Sequence, residues 1–391
     1  MNWNLPGAIG IQVCVWGAIA GTRLAVPLLA LKQGHGPLVV GILVALFALT
    51  QVFLALPAGR FADRHGLRLP VTLAAAVAGA ALCAAAALPA LPMFCVATLA
   101  TGAAACVTMI ATQRHVGRAA RGPVELNRAF SWLAIAPAAG NFVGAAGAGL
   151  LIDHAGPVHG DTMNYRYTFL AMAAFALVAW LVVLCMDEAR TDPVERESVG
   201  TKDEGSRASL MRAPIFRRLL FANWLQGASW DLHNLAVPLL GHERGLSAST
   251  IGTIMGLFAV AAALVRIVLP TISKWVGEKQ IITTSFLVTA GAMVAYSWCR
   301  SALAMGACSV LMGMALGSVQ PLVMVLLHRT TPAARHGEAL GLRTLFISAS
   351  STVLPLLLGA AGAVIGISGL FWIGGAVVAL GTGSARKVDL R

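Results

Sequence analysis

The sequence predicts an all-α membrane protein with twelve transmembrane helices in two pseudo-symmetric six-helix bundles. Three observations predict it. First, 58% of the 391 residues are hydrophobic and only 11% are charged, far below the roughly 25% charged residues of a soluble domain. Second, apolar runs of about 20 residues recur along the whole chain, each long enough to cross a bilayer as a helix. Third, the hexapeptide LAVPLL occurs at Leu24–Leu29 and again at Leu235–Leu240, 211 positions on. The offset holds beyond the hexapeptide. Gly41 falls on Gly252, Leu46-Phe47-Ala48 on Leu257-Phe258-Ala259, Gly66 on Gly277, Arg68 on Lys279 and Gly102 on Gly313. Such self-similarity at one fixed spacing reads as an internal duplication.

The predicted spans of the first half are 8–31, 37–57, 68–89, 92–113, 127–152 and 165–186. The first has no basic region before it and is as long as a full span, so it reads as a helix that stays rather than a cleaved signal peptide. Short Gly/Pro-bearing turns separate many of the spans, such as Leu88-Pro89-Ala90-Leu91-Pro92 between the third and fourth. The second half repeats the plan with 215–241, 248–272, 279–299, 302–327, 340–362 and 365–385. Gly and Ala recur at close spacing within the spans, which lets helix backbones approach in a membrane bundle. A soluble helical core would need polar outer faces, and these segments lack them. The one long polar stretch, DEARTDPVERESVGTKDEGSRASLMR, reads as a linker. The predicted organisation is therefore a bundle over 1–186, a cytoplasmic linker over 187–214 and a second bundle over 215–391.

The formal net charge of +12 does not point to nucleic acid, because its placement follows the membrane. With the amino terminus inside, 22 of the 28 Lys and Arg fall in cytoplasmic loops and the tail. The outer loops hold four, Lys32, Arg166, Arg244 and Arg300, while Arg23 and Arg266 lie within spans. This bias predicts an inner-membrane protein with both termini cytoplasmic. The seven cysteines are scattered and form no CxxC pair, so neither a disulfide framework nor a metal site is expected.

Between spans two and three lies GRFADRHGLR, Gly59 to Arg68. Gly66 supplies the freedom a tight turn needs, and Gly59 is expected to permit close packing where the span ends. Asp63 can accept from a helix N-terminus or pair with an arginine. The skeleton Gly59, Asp63, Arg64, Gly66, Arg68 resembles the signature loop of the major facilitator superfamily, at the place where its twelve-helix transporters carry it. The six-plus-six repeat, linker and charge bias agree. The resemblance implies that the loop latches the halves together on the cytoplasmic side when the cavity faces outward. The second copy, PTISKWVGEK, puts Lys274 where Asp63 would be. In span five, APAAGNFVG is similar to the Gly-Pro-x-x-Gly-Gly element of the drug:proton antiporter branch. Pro137 and Gly140 match it, while Ala136 and Asn141 replace glycines. A proline inside a span would bend the helix there. That branch also carries an arginine in span four, four residues before a glycine; here Thr98 stands at that place before Gly102.

An ionisable side chain in a span costs roughly 2.5 to 3.5 kcal/mol on insertion scales, so each needs a reason. Span one holds Arg23. Span seven holds Asn223, Gln226, Asp231, His233 and Asn234 beside Trp224 and Trp230, and span ten holds Gln320. The resemblance implies that spans one, four, seven and ten line a central cavity, which places Arg23, Asp231, His233 and Gln320 on the right helices. Asp231 is the expected switchable carboxylate, with His233 as the other proton carrier. The tryptophans offer flat apolar surfaces to a substrate. The competing reading makes Arg23 and Asp231 a structural pair across the halves. Arg266 is expected to snorkel or to pair with a loop.

No phosphate loop, His-Glu-x-x-His or Gly-x-Ser-x-Gly stands in the chain, so it is not expected to be an enzyme, and no cofactor is expected. The expected function is secondary transport by alternating access, as a monomer: proton-coupled efflux of a drug or metabolite, or alternatively uptake or exchange of an organic anion through the arginine-containing cavity. The partners are a small molecule, protons and the bilayer.

Overall fold

A computed structural model describes residues 4–119, 129, 132–133, 135–156, 162–186, 211–273, 275–330 and 336–386. It is helical throughout. In a bilayer every backbone N–H and C=O needs a partner within the protein, and a helix supplies it within its own segment. The first half contains α1 (Asn4–Lys32), α2 (Pro37–His65), α3 (Arg68–Ala87), α4 (Leu91–Ala119), α5 (Ala136–His154) and α6 (Thr162–Leu184). The second contains α7 (Pro214–Glu243), α8 (Ala248–Ile272), α9 (Glu278–Tyr296), α10 (Ala302–Thr330) and α11 (His336–Arg386). α11 breaks at Gly366, whose φ of 75° is open to glycine and strained for other residues. Its two arms are the eleventh and twelfth spans, so the described residues form twelve long helices. The predicted linker lies outside the described residues up to position 210.

Among the described residues, eight helices carry a stretch long and apolar enough to cross a membrane by length and composition. α7 is not one of them, because it carries most of the polar residues singled out above.

The duplication is visible in the geometry. Gly34 and Gly245, 211 apart, follow α1 and α7 and have φ of 84° and 67°. The turns around them match bond for bond. Gly34 N donates to Leu31 O and His35 N to Ala30 O, while Gly245 N donates to His242 O and Leu246 N to Gly241 O. A Cβ on Gly102 would strike the carbonyl of Phe47, and one on Gly313 would strike the carbonyl of Phe258, its counterpart at the same offset. Both LAVPLL copies are buried from first residue to last, with Pro27 and Pro238 inside their helices.

Within the first half α1 packs on α5, α6 and α4; within the second α8 packs on α10, and α11 on α7 and α9. The halves meet chiefly through α2 against α11 and α5 against α8. Glycines make these contacts close. A Cβ on Gly41 would meet Pro355 O at 2.5 Å and Gly359 Cα at 2.9 Å. One on Gly256 would meet Phe142 Cδ2 at 2.7 Å, and those on Gly149 and Gly252 would strike the carbonyls of Ala248 and Ala145. Among the described residues, these glycine contacts between the halves all lie toward the end that carries the Gly34 and Gly245 turns. That end is sealed.

Two local expectations change. Pro137 is not mid-helix: it is the second residue of α5, where a missing N–H costs no hydrogen bond. It therefore starts the helix instead of bending it. Gly59 is not at a tight contact. Among the described residues nothing lies within 4 Å of where its Cβ would be.

Candidate functional site

Arg23 of α1 lines a cavity together with Trp230 and Asn234 of α7, at the interface of the halves. Its guanidinium carbon lies 5.2 Å from the centroid of the Phe47 ring of α2. That is a cation–π contact, which suits a charge in a medium with few acceptors. Asp231 of α7 exerts an electrostatic pull on Arg23 across the interface. No ion pair within 4.0 Å is formed between them. The Ser351 hydroxyl of α11 lies near the Asp231 carboxyl. Arg23 Nε and Asp231 Oδ2 are buried without hydrogen-bond partners. Opposite charges from the two halves thus face each other, each with a polar atom unsatisfied.

Beside them is a small internal cavity lined by Arg23, Asn141, Ala145, Trp230, Asn234 and Phe258, among others. Its volume is about 20 Å³, room for one water and too small for an organic substrate. Asn141 reaches it from α5. Its Nδ2 donates to Pro137 O at 2.7 Å. Gly140, one residue before, is pressed on α1, where a Cβ would meet Val13 O at 2.6 Å and Trp16 Cβ at 2.8 Å.

The other predicted residues disperse. Trp230 sets its edge against Phe258 at 4.5 Å between centroids and lines the cavity. Trp224 stacks on Phe221 at 5.7 Å instead. Gln226 is buried. His233 turns into the core of its own half. Its ring stacks on Phe258 at 4.0 Å, and Nε2 lies 2.8 Å from Ser309 Oγ. That hydroxyl donates to Ile254 O, so Nε2 carries the hydrogen toward it and Nδ1 is left buried without a partner. Gln320 is held by Arg266, whose Nη2 donates to its Oε1 at 3.0 Å and whose Nε donates to Gly317 O at 3.3 Å. Arg266 therefore neither snorkels nor pairs with a loop; it lies against α10, where it finds acceptors.

At the signature loop, Gly66 has φ of 73° and its N–H donates to Ala62 O, as the tight turn requires. Arg68 bonds Met186 O through Nε and Nη2 at 3.1 and 2.7 Å, which ties the start of α3 to the end of α6. Arg64 is exposed on the last turn of α2. The side chain of Asp63 lies outside the described residues, as does Lys274.

Three features escaped sequence reasoning. Arg343, near the start of the predicted span 340–362 but tallied with the cytoplasmic cations, is buried in α11, and its Nε donates to Asn223 Oδ1 on α7 at 2.8 Å. Gln12 of α1 is 2% exposed and bonds Thr112 of α4, while Trp16 Nε1 donates to Gln12 Oε1. Asp153, one residue past the predicted end of span five, binds the first turn of α8. Listing amides as well as charges in spans would have found Gln12. Nothing local marks Arg343 or Asp153.

A twelve-helix, two-half fold with facing charges at the interface is that of a membrane transporter working between two halves. The model of the Major Facilitator Superfamily matches residues 8–220 and 219–385, and the chain belongs to that family. It is 23% identical over 329 residues to multidrug resistance protein 1 of Bacillus subtilis (strain 168), covering 81% of this chain and 79% of that one. In fold it is similar to a mutant of the nucleoside transporter NupG (TM-score 0.81, 12% identity, 98% of both chains). It is also similar to a bacterial homologue of the human lysosomal transporter Spinster, inward-facing and occupied (TM-score 0.77, 12% identity, 98% of this chain and 95% of that one).

Proposed function

We propose that this major facilitator protein exports a small amphipathic compound in exchange for protons, with Asp231 as the group that gains and loses the proton. The observation that carries this reading is the Asp231 carboxyl. It is the acid of α7 at the interface, it has a buried oxygen without a partner, and it faces Arg23 of the opposite half without a direct ion pair. A charge so placed biases how the halves approach, and neutralising it changes that bias. The relationship to multidrug resistance protein 1 and the apolar Trp230 and Phe258 beside the cavity support an amphipathic substrate. The 22-to-4 distribution of basic residues supports cytoplasmic termini in an inner membrane. The sealed end is then the outer one, and the described state faces inward. In that state the latch expected of the signature loop would be released.

A second reading rests on a charge imbalance. Among the described residues, Arg23, Arg266 and Arg343 are embedded in the bundle against one well-embedded acid, Asp231. An organic anion would offset that excess, so anion uptake or exchange is the alternative. Proteoliposomes separate the two. With an imposed proton gradient, efflux of a lipophilic cationic dye that stops with Asp231→Asn supports the first. Electroneutral counterflow of a labelled organic acid, insensitive to the gradient and to Asp231→Asn, supports the second.

A further inference from the structure

Beyond the transport site, the surface between α2, α3 and α4 carries a groove with two chemically distinct parts. At the Gly66 end is a depression of about 500 Å³ lined by Leu54, Pro57, Arg60, Phe61, Arg64 and His65, with Val107 at its base. Phe61 and Val107 also line a second depression of about 180 Å³, so the two adjoin. The second is apolar. Its floor is Ala100, Ala103 and Ala104 of α4, and its walls include Leu73 and Val77 of α3, which are 48% and 55% exposed. These alanines of α4, set between Phe61 of α2 and Leu73 and Val77 of α3, leave a trough rather than a packed ridge.

The depth of the basic part follows from length. α2 has 29 residues and is about 43 Å long, longer than the roughly 30 Å hydrocarbon layer. Its uncharged run continues from Pro37 through Gly59, about 34 Å of helix. Arg60 and Arg64 lie one and five residues further, just past the hydrocarbon layer and at headgroup level. They are four apart and so share a face. Both are exposed, and neither has a hydrogen-bond or ion-pair partner among the described residues. Below them lies the trough at acyl-chain depth. Paired cations above a continuous apolar channel match a ligand with an anionic head and a hydrocarbon tail. A soluble anion would leave the trough unused, and an acidic peptide would bring polar backbone into it.

We propose that this groove binds an anionic phospholipid, its phosphate held by Arg60 and Arg64 and one acyl chain lying over Ala103 between Val77 and Phe61. The test is native mass spectrometry of the full chain released from nanodiscs of phosphatidylglycerol and phosphatidylcholine. Wild type should retain phosphatidylglycerol preferentially. Arg60→Gln with Arg64→Gln should lower that retention by about thirtyfold, the loss that two basic side chains near an anionic surface produce, and leave phosphatidylcholine unchanged. Arg60→Lys with Arg64→Lys should keep most of it, which separates charge from misfolding. Ala103→Phe, which fills the trough, should lower retention of both lipids. Equal retention of the two lipids by wild type, or unchanged phosphatidylglycerol retention in the Gln pair, overturns the proposal. So does displacement by inorganic phosphate with no effect of Ala103→Phe, which would make the groove a simple anion site.

Discussion

The Asp153 carboxylate at the end of α5 receives two backbone hydrogen bonds from the first turn of α8, Ala248 N–H to Oδ1 at 3.0 Å and Ser249 N–H to Oδ2 at 2.7 Å. It joins the two halves at the sealed end. The unpaired N–H groups and partial positive charge of a helix N-terminus favour an anion there. Ser247, whose hydroxyl accepts from Thr250 N, caps the same turn, so the side chain and the carboxylate satisfy different donors. Gly149 lets α5 come close enough for this, since a Cβ there would strike Ala248 O.

The first prediction follows from that contact. Asp153→Ala removes the carboxylate without touching α8. It should weaken the seal by about 1 kcal/mol, a shift of about fivefold toward the state open at this end. Thiol labelling of Met255→Cys, which borders the cavity beneath the seal, in a cysteine-free background should speed up by a similar factor. An unchanged labelling rate would mean that the glycine contacts alone hold the seal.

The second concerns Gly140. Its hydrogen faces the α1 backbone at Val13 and Gly17. Gly140→Leu must push α1 from α5, at a cost of about 1–3 kcal/mol in packing. Transport should fall to the level of vesicles without protein, with Tm lowered. Wild-type transport at equal expression would remove this contact from the mechanism.

Asp231 and Arg23 support a third. Asp231→Asn keeps the shape and removes the titration, so gradient-driven movement should stop while downhill exchange continues. It also leaves Arg23 without its opposing charge, and the double change with Arg23→Gln should recover thermal stability more than transport. Full coupled transport by Asp231→Asn would redirect attention to His233. That residue is sealed inside the second half against Ser309 and Phe258, so His233→Gln should chiefly lower Tm.

Asn223 and Arg343 support a fourth. Asn223→Leu deletes the acceptor of the Arg343 Nε hydrogen bond and leaves a buried guanidinium short of a partner. A bond to a charged group is worth about 1.5–3 kcal/mol. Thermal unfolding in detergent should shift down accordingly, and Asn223→Asp should restore part of it. Equal stability of Asn223→Leu and wild type would show that the guanidinium is solvated in the membrane.

Much of this was legible in the chain. The 211-residue offset found in the letters returned as matched turns at Gly34 and Gly245 and matched carbonyl contacts at Gly102 and Gly313. Backbone geometry imposes this, because a glycine kept at one helix crossing is needed at its copy. The polar residues of α7 were also conspicuous, since any such group in an apolar run stands out by its cost. Their partners were not. Asn223, conspicuous in span seven, is tied to Arg343, and Gln320, a cavity candidate, is tied to Arg266.

Composition and repetition alone determined the membrane class, the twelve spans, the two halves and the residue types at the centre. Those properties depend on the bilayer as solvent and on backbone self-satisfaction, which act on each segment separately and so leave a local signature. Only the tertiary structure decided that Pro137 begins a helix, that His233 faces inward within its half, that Arg343 is buried, and that Asp153 reaches α8. The last three depend on helix rotation and on which neighbour arrives opposite, and contacts between residues about a hundred positions apart leave no pattern in either stretch of sequence.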